Sequence, residues 1–270
     1  MPPPQPLPTF LLTGFEPFGG DAGNPSWDIA ARLDGWQVGA PGGPAEAVVD
    51  AVVDAPVAGP AAGAAGAHDL PLAVVRSARL PCVFGAALAA LDEALVQHRP
   101  VAVIALGLAA SRAEVSVERV AINIDDARIP DNAGRQPIDR RVYADGPVAY
   151  WSSLPIKAIV AAMRRAGIAA AVSQSAGTFV CNHVFYGLAH RLAGSADGQR
   201  GVAAGGPGTA AAWTPPRRGG FIHVPWPHPP ESAVADRLTL EMLVEAIRIA
   251  VLVTLSAGDG DLKMPDGAID

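Results

Sequence analysis

An α/β sandwich, with a largely parallel sheet covered by helices on both faces, is the fold this sequence predicts. Short apolar runs alternate with segments of helical period along most of the chain, the pattern of strand–helix units that pack helices onto a parallel sheet. Half of the 270 residues are apolar and 17% are charged, an aliphatic-rich composition with ample chain for a proper core. Two stretches break the pattern: residues 39–69 and 194–219 are Ala/Gly/Pro-rich and carry no period. They read as surface insertions into one architecture, since loop closure costs grow only logarithmically with length.

The elements follow in order. "TFLLTGF" (9–15) is a first strand. Asn24 then offers a helix cap and Pro25 a first helical residue, opening a helix through Trp27 to Leu33. "LAVVRSARL" (72–80) is a second strand, and Phe84, Leu88, Leu91 and Leu95 recur on one helical face until the stop at Gln97–Pro100. "VAVIAL" (101–106) is a buried strand. "RVAINI" (119–124) alternates, with Val120, Ile122 and Ile124 expected on one face. A helix from Pro155 to Arg165 turns Ile156, Ile159, Val160 and Met163 inward. "IAAAVS" (168–173) is a strand, Asn182 to Leu192 a helix, "GGFIHVP" (219–225) a strand, and Thr239 to Leu255 a final helix.

Composition excludes some functions. A net charge of −6 and no Lys/Arg-rich run argue against a nucleic-acid surface. The apolar stretch Ile247 to Leu255 is too short to span a bilayer, and the N-terminus lacks the basic and apolar regions of a secretory signal. Two distant cysteines make no disulfide framework, so a reducing, cytoplasmic setting is expected. No G-x-G-x-x-G, Walker or G-x-S-x-G motif is present, so neither a nucleotide cofactor nor a serine nucleophile is indicated.

Three residues carry candidate chemistry. Cys181, in "SAGTFVCNHVFY", stands at a helix start, where unpaired N–H groups favour a thiolate and can stabilise an oxyanion. A buried core cysteine is the competing reading. His223 sits near the C-terminal end of a strand, the edge where α/β sheets place reactive groups, although a histidine in an apolar strand is more often a hydrogen-bonded core residue. In "AEVSVERVAINI" the apolar parity slips by one residue at Glu118, which implies a bulge or tight turn there; a solvated carboxylate paired with Arg112 or Arg119 is the plainer and preferred reading. A zinc site of Cys181, His183, His223 and His228 is a distant third alternative, because residues two apart on a helix point about 200° apart.

Taken together, "LLTGFEPFGGDAGNPSW", "ERVAINIDDARIPDNAGRQPID", "GPVAYWSSLPIKAIV", "AAVSQSAGTFVCNHVFYGL" and "RGGFIHVPW" closely resemble the pyroglutamyl peptidase I family of cysteine peptidases. The resemblance spans nearly the whole chain outside the two insertions. It implies a single-domain three-layer α/β/α sandwich with a mixed, largely parallel sheet, often assembled as a homotetramer or dimer. It also implies a Cys181 nucleophile, a His223 base and an orienting Glu118, with Arg128 supporting the oxyanion and no metal or cofactor. Phe15, Phe18, Ile129, Phe179 and Val180 would line a pocket for the small neutral lactam of pyroglutamyl peptides, with plain core packing the alternative for the aromatics, Phe18 in particular.

Two departures stand out. The family usually reads G-Q-A-G-G-R where this chain has Gly107-Leu108-Ala109-Ala110-Ser111-Arg112, and Cys82 takes a place where threonine is familiar. Leucine cannot replace an amide's hydrogen bonds. A weak or inactive relative that binds N-blocked peptides or lactams is therefore the rival expectation.

Overall fold

The computed structural model describes residues 6–39, 72–196, 216–229, 238–258 and 260–266. Its elements are β1 (Thr9–Phe15), α1 (Pro25–Leu33), β2 (Gln37–Val38), β3 (Ala73–Leu80), α2 (Ala86–His98), β4 (Ala102–Leu108) and β5 (Val115–Glu118). There follow β6 (Val120–Ile122), β7 (Ala149–Trp151), α3 (Ile156–Arg165), β8 (Ala170–Ser173), α4 (Val180–Ala196), β9 (Arg218–Val224) and α5 (Leu240–Ser256).

Local chemistry explains the helix starts. Asn24 is extended and its side chain accepts from the Ser26 N–H at 3.1 Å, with Pro25 at the first helical position. Thr239 caps α5 in the same way through the Met242 N–H. Gly85, at φ 78°, admits the chain into α2 with a backbone conformation that side chains resist.

Seven strands form one sheet in the order β2-β3-β1-β4-β9-β5-β8. β3, β1, β4 and β9 are parallel; β5 and β8 are parallel to each other but run opposite to β9, and β2 is antiparallel to β3. β6 and β7 form a separate antiparallel pair.

Strand parity divides the core in two. Phe10 and Leu12, Ile104 and Leu106, Val115 and Val117, and Ile222 and Val224 face α1, α3 and α5. Leu11 and Phe15, Val103 and Ala105, and Phe221 face α2 and α4. These three layers are the sandwich that the resemblance implied. By period 2, Gly107, Glu118 and His223 fall on the second face, under α4.

The elements expected from sequence occur, with four corrections. The parity slip at Glu118 marks a change of sheet rather than a bulge: β5 ends there in the main sheet, and Val120 begins β6 in the small one. Arg119 bridges the two, its N–H donating to the Ser173 carbonyl and its carbonyl accepting from Ser152. In β6 the buried residue is Ala121, while Val120 and Ile122 are only half-buried; the small strand has one protein face and packs through its smallest residue. Phe84 precedes α2 instead of lying in it, and α4 begins at Val180 rather than Asn182.

The second insertion is shorter than 194–219, since residues 194–196 end α4 and Arg218 already pairs with Ala102. Residues 40–69 and 197–215 of the two insertions lie outside the described residues. Among the described residues, no helix is long and apolar enough to cross a membrane.

Candidate active site

The sheet brings Gly107, Glu118 and His223 together by register. Gly107 of β4 stands beside His223 of β9, and Ser116 of β5 stands opposite His223. Glu118 is two residues beyond Ser116 on the same face, a diagonal neighbour within reach of a long side chain. The His223 Nδ1 and Glu118 Oε1 are 2.7 Å apart. A carboxylate there holds the proton on Nδ1 and leaves Nε2 with its lone pair, the form a general base requires.

Both partners are enclosed, with Glu118 0% and His223 4% exposed. A buried carboxylate needs a countercharge. Arg112 supplies it, donating from Nη1 to the same Oε1 at 2.7 Å. The Glu118 Oε2 is buried with no hydrogen-bond partner among the described residues.

Cys181 is the second residue of α4, and its sulfur reaches back over the sheet. A Cβ placed on Gly107 would lie 2.9 Å from Sγ and 2.7 Å from the Phe221 ring. The absent side chain at Gly107 is what lets the thiol sit over the strand that flanks His223. The start of α4 is fixed by Asn182, which is 0% exposed. Its Oδ1 accepts from the Ile122 N–H, and its Nδ2 donates to the Ile122 and Ile124 carbonyls. Thr178 adds a bond from Oγ1 to the Asp126 carbonyl at 2.7 Å. First-turn N–H groups of a helix are not consumed by its own ladder, so this end is a potential oxyanion site.

The thiol differs from expectation in one respect. A helix start favours thiolate, yet burial raises the Cys181 pKa well above its usual range. Negative charge on Cys82 or Glu118 adds to the rise, and Arg112 opposes it only in part. Loss of water outweighs the half-charge of the helix end, a direction that favours the thiol although Cys181 is only partly buried. The Cys82 thiol is likewise pushed up, to about 12, by burial and then by Glu16 and Asp131.

The expected pocket residues divide between rim and core. Phe18 and Phe179 are half-buried with ring centroids 6.1 Å apart, and Phe84 meets Phe179 edge-on at 5.3 Å. Phe15 (2% exposed) packs on Phe221, and Val180 is fully buried. The core-packing alternative therefore suits Phe15 and Val180 better than Phe18. Ile129 is half-buried, and Arg128 is exposed, its carbonyl accepting from the Gln136 Nε2. Leu108 is 7% exposed at the end of β4, in register with Val224.

Several residues around the site were not anticipated. Phe84 joins the aromatic cluster, a contact no periodicity signals. Glu16 accepts from the Cys82 N–H and the Asn132 Nδ2 at 3.0 and 2.8 Å, tying three loops together; its one sequence signal is a carboxylate in the otherwise apolar "TGFEPF". His183 points away from Cys181. Its Nδ1 meets both oxygens of Asp125 at 3.0 and 2.9 Å, and its Nε2 accepts from the Gly85 N–H. Among the described residues, no three His, Cys, Asp or Glu side chains gather in a metal-holding group.

This geometry can be set beside known proteins. The pyroglutamyl peptidase family model matches residues 58–202. A pyrrolidone-carboxylate peptidase of Cupriavidus taiwanensis is 48% identical over 93% of this chain and 94% of its own length. One of Chromobacterium violaceum is 46% identical over 97% and 99%. Among solved structures, pyroglutamyl peptidase I of Bacillus amyloliquefaciens superposes with a TM-score of 0.68 at 38% identity, over 94% of this chain and 100% of that one. Pyrrolidone carboxyl peptidase of Thermococcus litoralis gives 0.71 at 34% identity, over 96% and 100%. On these matches the chain belongs to the pyroglutamyl peptidase family.

Proposed function

We propose that this protein is a cysteine exopeptidase that hydrolyses the amide bond after an N-terminal pyroglutamyl (5-oxoprolyl) residue. The observation that carries the reading is the convergence of Cys181 and the Glu118–His223 pair on the bare backbone of Gly107.

In the proposed reaction, His223 Nε2 takes the Cys181 proton as sulfur attacks the pyroglutamyl carbonyl. Glu118 keeps the tautomer and stabilises the imidazolium that forms. Because desolvation raises the Cys181 pKa and so favours the thiol, proton removal belongs to the attack step. First-turn N–H groups of α4 receive the oxyanion, with Arg128 in support. His223 then protonates the leaving amine, and water resolves the thioester.

Phe18 and Phe179, with Phe84 behind them, offer the lactam an aromatic wall, and Ile129, Phe15 and Val180 extend it. An apolar pocket rejects an ordinary N-terminus, whose ammonium would lose its water without compensation. Leu108 contributes no side-chain hydrogen bond, and nothing in the site favours the inactive-relative reading. Two free cysteines fit a cytoplasmic, reducing setting. Exposed Val148 (80%) and Trp151 (74%) fit a homo-oligomer, a tetramer or dimer.

The test is release of a fluorescent amine from a pyroglutamyl amide and from the matching prolyl amide in reducing buffer. Turnover of the first, with a preference of at least about a hundredfold over the second, is expected. A folded, reduced protein that cleaves neither would overturn the reading.

Gly107→Ala should be a severe change for one methyl group. The new carbon would press on Sγ and the Phe221 ring at distances real contacts do not show. Overpacking should cost about 1–3 kcal/mol of stability, and displacement of the sulfur should lower kcat/KM by about a hundredfold. Urea denaturation and the amide assay measure the two effects separately.

A further inference from the structure

Arg112 is the cation that the buried Glu118 depends on, and its contacts go beyond charge balance. It lies in the loop after β4, with its side chain 29% exposed. One guanidinium nitrogen donates to Glu118 Oε1, the same oxygen that meets His223 Nδ1. The other terminal nitrogen donates to the Ser175 carbonyl at 3.0 Å, in the turn between β8 and α4. That turn continues through Gly177 and Thr178 into the helix carrying Cys181. A planar fork with several donors can hold both partners at once, which a lysine ammonium does less well.

We propose that Arg112 is a positioning residue: it fixes the Glu118 carboxylate for His223 and ties that carboxylate to the turn that delivers Cys181. The inference rests on the peptidase reading above. Glu118 is 0% exposed and its Oε2 meets no donor among the described residues, so Arg112 and His223, both on Oε1, are the contacts that orient its charge. Without the guanidinium, the carboxylate can rotate toward Oε2-first arrangements, and the Ser175 carbonyl keeps its bond from Ser173 Oγ but loses the one that joins it to Glu118.

Removal of the cation also has a definite electrostatic sign. The groups around Glu118 are Arg112 from the β4 loop, His223 from β9, Cys181 from α4 and the adjoining Arg119. Deleting one positive charge makes the Glu118–His223 pair bind its proton more tightly, whichever atom carries it. The acid limb of the pH–rate profile therefore moves to higher pH.

The experiment compares wild type, Arg112→Gln and Arg112→Lys in the pyroglutamyl-amide assay across pH, with thermal unfolding to verify the fold. For Arg112→Gln we expect kcat about 10- to 100-fold lower with KM nearly unchanged, and an acid limb shifted upward. Arg112→Lys should recover part of kcat and return the limb toward wild type. An imidazole 15N titration of His223 reads the same upward shift without any turnover, so the inference is tested even if wild type does not cleave the amide. Cleavage by wild type with an unchanged profile and unchanged kcat in Arg112→Gln would overturn it. So would a loss of activity with no shift in either titration and no rescue by lysine.

Discussion

Cys181→Ser should leave a folded protein that binds pyroglutamyl amides and fails to cleave them, with kcat lower by at least about a thousandfold. Serine is nearly the size of cysteine, and the contacts that fix the start of α4 run through Asn182 and Thr178, not through Sγ. Stability should therefore change little. The hydroxyl is far less acidic than a thiol and its oxygen is a poorer leaving group for deacylation, so the loss falls on kcat rather than KM. The raised pKa of Cys181 makes a second statement about the same atom. Its alkylation by iodoacetamide in the substrate-free protein should climb with pH and show no plateau at neutrality, because desolvation raises the Cys181 pKa and so favours the thiol. Cys82 is buried and held to about 12, so it should contribute little background. A flat, fast neutral rate would mean a preformed thiolate–imidazolium pair. Undiminished turnover in Cys181→Ser would remove the nucleophile from the mechanism.

How much of this site could be read in the chain depended on whether the signal was local. Asn24-Pro25 and Thr239 announced their helices because capping is decided within a few residues. The parity slip at Glu118 was visible, but its cause was not. A bulge and a change of sheet look alike in one dimension, and only the pairing of β6 with β7 separates them. Periodicity also gave no strand order, and the order is what matters here. Because β5 runs opposite to β9, Glu118 lands diagonal to His223 at hydrogen-bond distance. The roles of Cys181, His223 and Glu118 were each balanced against a plain core or surface reading until the family resemblance joined them. Phe84 falls on a helical period and Gly107 heads a family motif, but what lies against each of them has no one-dimensional signal. A helix end lowers a thiol pKa where water reaches the sulfur, whereas at the partly buried Cys181 desolvation acts the other way.

His223→Gln should match Cys181→Ser in severity, and the double variant should be no worse than either. Glutamine can still bond to Glu118, so the buried carboxylate keeps a partner and the fold should survive. What disappears is a base able to take the thiol proton during attack and to return it to the leaving amine. With the Cys181 pKa raised by desolvation, thiolate at neutral pH should compensate little, and kcat should fall by about a thousandfold or more. Two groups that act in one proton transfer cannot lose their effect twice, so the free-energy costs should be grossly non-additive. Glu118→Gln should cost less, because it acts through the imidazole; its amide can still accept from Nδ1 but cannot balance an imidazolium. Measured kcat values for the two single variants, the double variant and Glu118→Gln decide the matter together. Additive losses for Cys181 and His223 would mean that they work in separate steps. A Glu118→Gln loss larger than that of His223→Gln would give the carboxylate a direct role that its position diagonal to the histidine does not suggest.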